Sequence, residues 1–246
     1  MQNPDVNSLY KYRAFNTNSL KCLIGEVAWF ATPVSFNDPF DCAINIDSNR
    51  ITESIHDAML KVLERLGKTE EDVPDSFFDI KESDIEAFKQ YQASLQEATQ
   101  KIGVLSLSAV CDDILMWGHY ADSHNGFCVE YERVSDNLLG KDAFPVIYQK
   151  ELPSLTSKDI SSTGGQTDRL WLTKSNHWSY EQEWRVIVSE GGKAYKFPCR
   201  IKSIIFGLKM SEENRFTLRK ILEGRNIKFK EAVANPNCFS LNIREI

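Results

Sequence analysis

The chain is short of several things that would place a protein quickly. No apolar run approaches the ~20 residues that a membrane span requires. The opening MQNPDVNSLYKYR has no basic start followed by an apolar core, so neither an export signal nor a membrane partner is expected, and the expected location is cytoplasmic. No two of the six cysteines form a CxxC pair, which argues against a structural zinc site, and in a reducing compartment they stay free. A phosphate-cradling Gly-rich loop is missing, because Gly164-Gly165 has neither a following Lys nor a strand-to-helix setting. Internal repeats and low-complexity tracts are absent too. What is left is an ordinary globular composition of 246 residues, 42% hydrophobic and 26% charged. The net charge of −6 is local: residues 51–100 hold twelve Asp and Glu against five Lys and Arg, and the remainder is near neutral. That acidity does not forbid a nucleotide or nucleic-acid partner elsewhere on the chain.

Pattern reading predicts alternating strands at Leu9 to Phe15, Val27 to Thr32, Val104 to Ser108 and Phe127 to Tyr131. It predicts others at Ala143 to Tyr148, Glu183 to Val188, Ile201 to Phe206 and Ile227 to Val233. Two acidic helices over 51–101, the first capped by Thr52 and the second opened by a Ser83 to Glu86 capping box, read as an insertion. Asp112 or Asp113 caps a helix running through ILMWGHYADSH, and Ser211 caps a late helix that Gly224 ends. Runs of strands interrupted by helices, without strict alternation, indicate a single α+β mixed-sheet domain spanning 1–246 with a helical insertion.

Four motifs carry a resemblance: Tyr10-Lys11-Tyr12-Arg13, Pro33 to Asp41 (PVSFNDPFD), Met116 to Phe127 (MWGHYADSHNGF) and Lys174 to Arg185 (KSNHWSYEQEWR). With these the sequence resembles the bacterial domain-of-unknown-function family numbered 2971, nearly end to end. The resemblance implies no activity. More loosely, the element order is similar to that of DNA-modifying ADP-ribosyltransferase toxins. In them an Arg-bearing first strand, a middle aromatic segment and a late strand with one Glu hold NAD. Here those positions fall on Arg13, Met116-Trp117 and Glu183 to Val186. The chain departs from the toxins at HYADSH, where they carry a nucleotide-binding Asn-Pro-Arg segment. The resemblance implies an NAD-dependent ADP-ribosyltransferase-like or NAD-glycohydrolase-like enzyme, with a nucleic-acid or protein acceptor and a toxin or phage-defence setting. The alternative is a non-catalytic module that binds a nucleotide or a protein.

Each candidate residue has a plain reading beside the functional one. Glu183 is the expected catalytic carboxylate, sharing a strand face with Glu181 and Arg185, and supporting oxocarbenium charge at an anomeric carbon. The plain reading is a salt-bridged strand. Arg13 and Arg185 suit a pyrophosphate, and Arg13 equally suits an ion pair to Asp38 or Asp41. Trp117, Tyr120 and His124 share one helical face; Tyr120 and His124 are expected to line a pocket, and Trp117 either stacks on a base or fills core. Asn37, with Asp38 and Asp41, either positions the ligand or closes Asx turns around its prolines. His119 and His124 stand five apart, so one helix does not bring both to one metal ion, and no metal cofactor is expected. A nucleophilic Cys111 or Cys128 is a distant alternative.

Overall fold

A computed structural model describes residues 3–43, 51–153, 170–197 and 199–246. These divide into two compact units. The first comprises Met1–Thr32, Gly103–Val146 and His177–Ile246; the second comprises Pro33–Ile102 and Ile147–Asn176.

The first unit is built on an eight-stranded sheet, so the fold is mixed α+β. Its strands are β1 (Ser8–Arg13), β3 (Gly103–Ser108), β4 (Phe127–Glu132), β5 (Ala143–Pro145), β8 (Glu183–Val188), β10 (Ile201–Phe206), β11 (Lys228–Ala234) and β12 (Leu241–Glu245). Their order is β12-β11-β10-β4-β1-β3-β8-β5. The three strands expected at Val104 to Ser108, Phe127 to Tyr131 and Glu183 to Val188 thus lie in one sheet. Pairing is antiparallel except between β10 and β11, where α6 (Glu212–Ile221) makes the crossover that parallel neighbours require. Ser211 caps α6 through its hydroxyl, as its position before two acids suggests.

Alternation divides the sheet residues between two cores. On one face Leu9, Leu107, Val129, Trp184, Ile204 and Phe206 pack with Leu23 of α1 (Thr17–Gly25) and Leu218 of α6. On the other, Tyr12, Cys128, Ile205 and Ala232 pack with Met116 and Trp117 of α4 (Ile114–Tyr120). Because both faces of β4 are covered, its polar positions are buried as well. The short helix α5 (Leu138–Asp142) and a two-stranded sheet of β2 (Val27–Phe30) and β9 (Lys193–Lys196) complete the unit.

The second unit holds α2 (Ile51–Arg65), α3 (Glu82–Lys101) and the parallel pair β6 (Ile147–Gln149) and β7 (Thr173–Ser175). Ile55, Phe88, Leu95 and Leu170 form its core. The stretch expected as one strand from Ala143 to Tyr148 is two, because the chain leaves the main sheet after Pro145. Two expected caps also move. Helix α2 begins at Ile51 rather than after Thr52, and α3 is opened by Asp84 accepting the Lys81 amide at 2.8 Å, not by Ser83 and Glu86. Gly67, Ile147 and the strands β9 and β12 show no pattern strong enough to have marked these boundaries in advance. Residues 44–50 and 154–169 lie outside the described residues, including Gly164-Gly165.

Candidate functional site

Helix α4 starts where expected, with the Asp113 carboxylate accepting from the amides of Leu115 and Met116, each at 2.9 Å. It ends earlier than the pattern suggests. Asp122, Ser123 and His124 all take positive φ, at 50°, 51° and 72°. Such backbone costs roughly 1–3 kcal/mol per non-Gly residue unless the surroundings impose it. They do so here: Ser123 and His124 donate to the carbonyls of Gly118 and Trp117, and the His124 carbonyl accepts from Lys209. Gly207 and Gly126 sit against this turn. A Cβ at Gly207 would fall 2.2 Å from the His124 carbonyl oxygen, and one at Gly126 2.1 Å from that of Arg13.

The early end of α4 separates the three residues expected to act together. Trp117 has no exposed surface; its Nε1 donates to the Cys111 carbonyl at 2.9 Å and Tyr12 meets its ring edge-on. It is a core residue. His124 stacks over Trp117 at 6.4 Å, with Nδ1 buried and unbonded among the described residues. Burial, and then Lys209, hold its pKa below the ordinary imidazole value. Tyr120 is half-buried and turns the other way, donating its hydroxyl to Glu181 Oε1 at 2.5 Å.

Glu181 was expected to share a strand face with Glu183 and Arg185. The strand begins only at Glu183; Glu181 ends the short turn Asn176–Glu181, and Gln182 between them has φ of 42°. That kink sends Glu181 to Tyr120, while Glu183 stays on the sheet with Arg185. Arg185 Nε donates to Glu183 Oε1 at 2.8 Å and Nη2 donates to Oε2 at 3.0 Å, a two-pronged pair. Glu183 is 4% exposed, Arg185 0% and Glu181 3%. Three buried charges in five residues are a poor way to gain stability, and such groups collect at functional sites.

Lys11 joins this cluster, a residue the sequence reading passed over in favour of Arg13. Its Nζ donates to the Ser106 carbonyl at 2.6 Å. Loss of hydration, then the nearby Arg13 charge, brings its pKa down to about 8, against the pull of Glu183 and Glu181. Arg13 keeps a buried Nε with no hydrogen-bond partner among the described residues. Above the carboxylates stands a group of rings. The exposed His119 meets Tyr120, Trp178 and Tyr180 at centroid distances of 6.1, 6.4 and 6.1 Å, and its Nδ1 shares a hydrogen bond with the Tyr180 hydroxyl at 3.0 Å.

Asn37 is exposed and belongs to the second unit. There Asp38 closes the expected Asx turn, accepting from the Phe40 amide at 2.9 Å, and Asp41 pairs with Lys174 at 3.5 Å, both buried. Cys111 and Cys128 are free thiols whose pKa values rise through burial, to about 11 for Cys111, which disfavours the thiolate a nucleophile needs. Among the described residues no helix is long and apolar enough to cross a membrane.

No curated protein and no solved structure matches the chain. A family model does: that of a protein of unknown function (DUF2971) matches residues 116–186, the span holding Tyr120, His124, Glu181, Glu183 and Arg185, and agrees with the resemblance carried by the motifs at Met116 to Phe127 and Lys174 to Arg185.

Proposed function

We propose that the first unit is a nucleotide-binding module, with the base held by the rings of His119, Tyr120, Trp178 and Tyr180 over Glu181. The observation that carries this reading is the buried Glu181 carboxylate bonded to a half-buried phenol beneath four clustered rings. Rings of this kind offer stacking surface to a planar heterocycle. A carboxylate accepts from an exocyclic amine or ring N–H, and its desolvation makes that bond selective. Lys11 and Arg13 supply the positive charge that a phosphate requires.

The catalytic alternative, ADP-ribosyl transfer or hydrolysis of NAD, is favoured by one observation. The carboxylate hydrogen-bonded to one of the rings is that of Glu181, while Arg185 engages both oxygens of Glu183. In that reading Glu181 stabilises positive charge at the anomeric carbon and Tyr120 orients it.

Two measurements on the full chain separate the readings. Calorimetric titration with NAD, ATP and GTP, alongside Trp fluorescence, tests binding; Glu181→Gln is expected to weaken it ~10-fold or more through the lost charge-assisted hydrogen bond. Absence of saturable binding by every nucleotide at millimolar concentration would refute the module. Chromatographic assay of nicotinamide release, with protein and nucleic-acid acceptors present, tests the chemistry. Binding without release leaves the module standing and removes the enzyme.

A further inference from the structure

A cavity of about 470 Å³ opens on the opposite face of the sheet from the rings, within the first unit. Its walls are Leu23 at the end of α1, Val27, Phe197, Ile201 and Ile227, with Tyr131 of β4 set among them. A volume of this order suits a small organic molecule. Its location follows from the topology, since the start of β10, the turn into β11 and the end of α1 all meet above the last residues of β4.

Tyr131 is the residue that makes this more than a packing gap. It is 6% exposed and meets Phe197 edge-on at 5.0 Å, and among the described residues its hydroxyl makes no hydrogen bond and is not one of the fully buried unpartnered atoms. Burial pushes its pKa up to about 12, so it stays a neutral donor at physiological pH. A hydroxyl that reaches solvent only through a cavity bonds to water there and can exchange that water for an incoming acceptor. Here the hydroxyl belongs to a cavity wall, where an incoming acceptor can meet it.

The rim is cationic. Arg200 and Arg225 line the cavity with one acid, Glu26. Arg225 caps α1 by donating to the Leu23 carbonyl at 3.2 Å and the Ile24 carbonyl at 3.5 Å, and stands 3.3 Å from the exposed Glu26. Arg200 faces Glu132 at 3.6 Å with 59% of its side chain in solvent. Exposed pairs of this length are weak, and each guanidinium has more donors than these contacts use. A phenol without a protein partner among the described residues and two guanidiniums with donors to spare suit the same ligand: an acceptor-only group that carries negative charge.

We propose that this cavity is a second binding site, for a small organic carboxylate whose aromatic or aliphatic body lies along Phe197, Ile201 and Ile227. The carboxylate accepts from Tyr131 and from the rim arginines. The site is independent of the ring cluster, because it uses the other sheet face and none of the same residues.

Naphthoate, with naphthalenemethanol as its neutral counterpart, tests the site by calorimetry on the full chain. Naphthoate binds saturably at one site, and the alcohol binds ~10-fold or more weakly, as loss of a charge-assisted hydrogen bond dictates. Tyr131→Phe weakens naphthoate ~5-fold or more without lowering Tm, because the hydroxyl has no internal bond to lose. Arg200→Met, an exposed change, weakens naphthoate and leaves the alcohol alone, while Ile227→Trp fills the cavity and abolishes both. No saturable naphthoate binding by the wild type overturns the proposal. So does equal affinity for acid and alcohol, or binding that survives both Ile227→Trp and Tyr131→Phe.

Discussion

Replacing Glu130 with Gln keeps the size of the side chain and removes one charge from the middle of β4. The carboxylate is buried and takes three donors, Lys230 Nζ at 2.7 Å, Ser203 Oγ at 2.5 Å and Ser8 Oγ at 2.9 Å, while Lys202 Nζ, which donates to Ser8, stands 3.3 Å away as an ion-pair partner. Burial alone would raise its pKa, but Lys230, Ser203 and Ser8 outweigh that and bring it from 4.5 to about 2. At ~1.4 kcal/mol per unit this favours the folded state by ~3 kcal/mol at neutral pH. The folded value is depressed, so the contribution is present above about 4.5 and is lost as pH falls towards about 2. An amide in its place leaves both ammonium groups without a counter-charge, and breaking such a pair costs ~3–5 kcal/mol where burial is complete. Urea unfolding followed by Trp fluorescence suits the measurement, because four of the five tryptophans, all but Trp171, lie in the unit with Glu130. Glu130→Gln should lose ~3 kcal/mol at neutral pH and flatten the acid limb of the stability curve. A loss under ~1 kcal/mol, or an unchanged acid limb, would show that the network is ornamental to stability.

Three other outcomes follow from the geometry. Lys11→Met should gain stability at neutral pH by up to ~3 kcal/mol, less whatever water still screens the side chain. Since the folded pKa lies near 8 against 10.5, that advantage shrinks as pH rises from about 8 to 10.5; denaturation at several alkaline pH values checks it. Gly126→Ala drives a methyl into the Arg13 carbonyl and should cost more than ~4 kcal/mol, read as a collapse of Tm or of soluble yield. Tyr120→Phe removes the hydrogen bond to Glu181 and should cost ~1–3 kcal/mol of stability, a thermal melt deciding between this and no effect.

Much of the sheet was legible because its strands alternate or run apolar, and that signal survives tertiary folding. Strands β9 and β12 were not, as each is short and half-exposed and owes its form to a neighbour. Glu130 gave no sign of its burial, since alternation separates two faces but does not say that both are covered. Glu181 was seen but misdirected, because nothing in SYEQEW announces the positive φ at Gln182. Lys11 was overlooked for the same kind of reason: its value as a site residue comes from Ser106 and Glu183, distant in sequence. Tyr131 gave no signal at all. A hydroxyl set in a cavity wall becomes visible only when its neighbours have been placed.

The position of β1 has a consequence for how this chain comes off the ribosome. Residues 8–13 lie at the heart of the sheet, between β3 and β4, and Ser8 pairs with Glu132. At ~5–20 residues per second, roughly 6–25 seconds of synthesis separate this strand from its second partner. Until β3 has been made, Leu9 and Tyr12, both destined for cores, have neither of their neighbouring strands to pair with. The nascent chain therefore presents an apolar, β-prone segment well before its partners exist, a state that exposes it to aggregation.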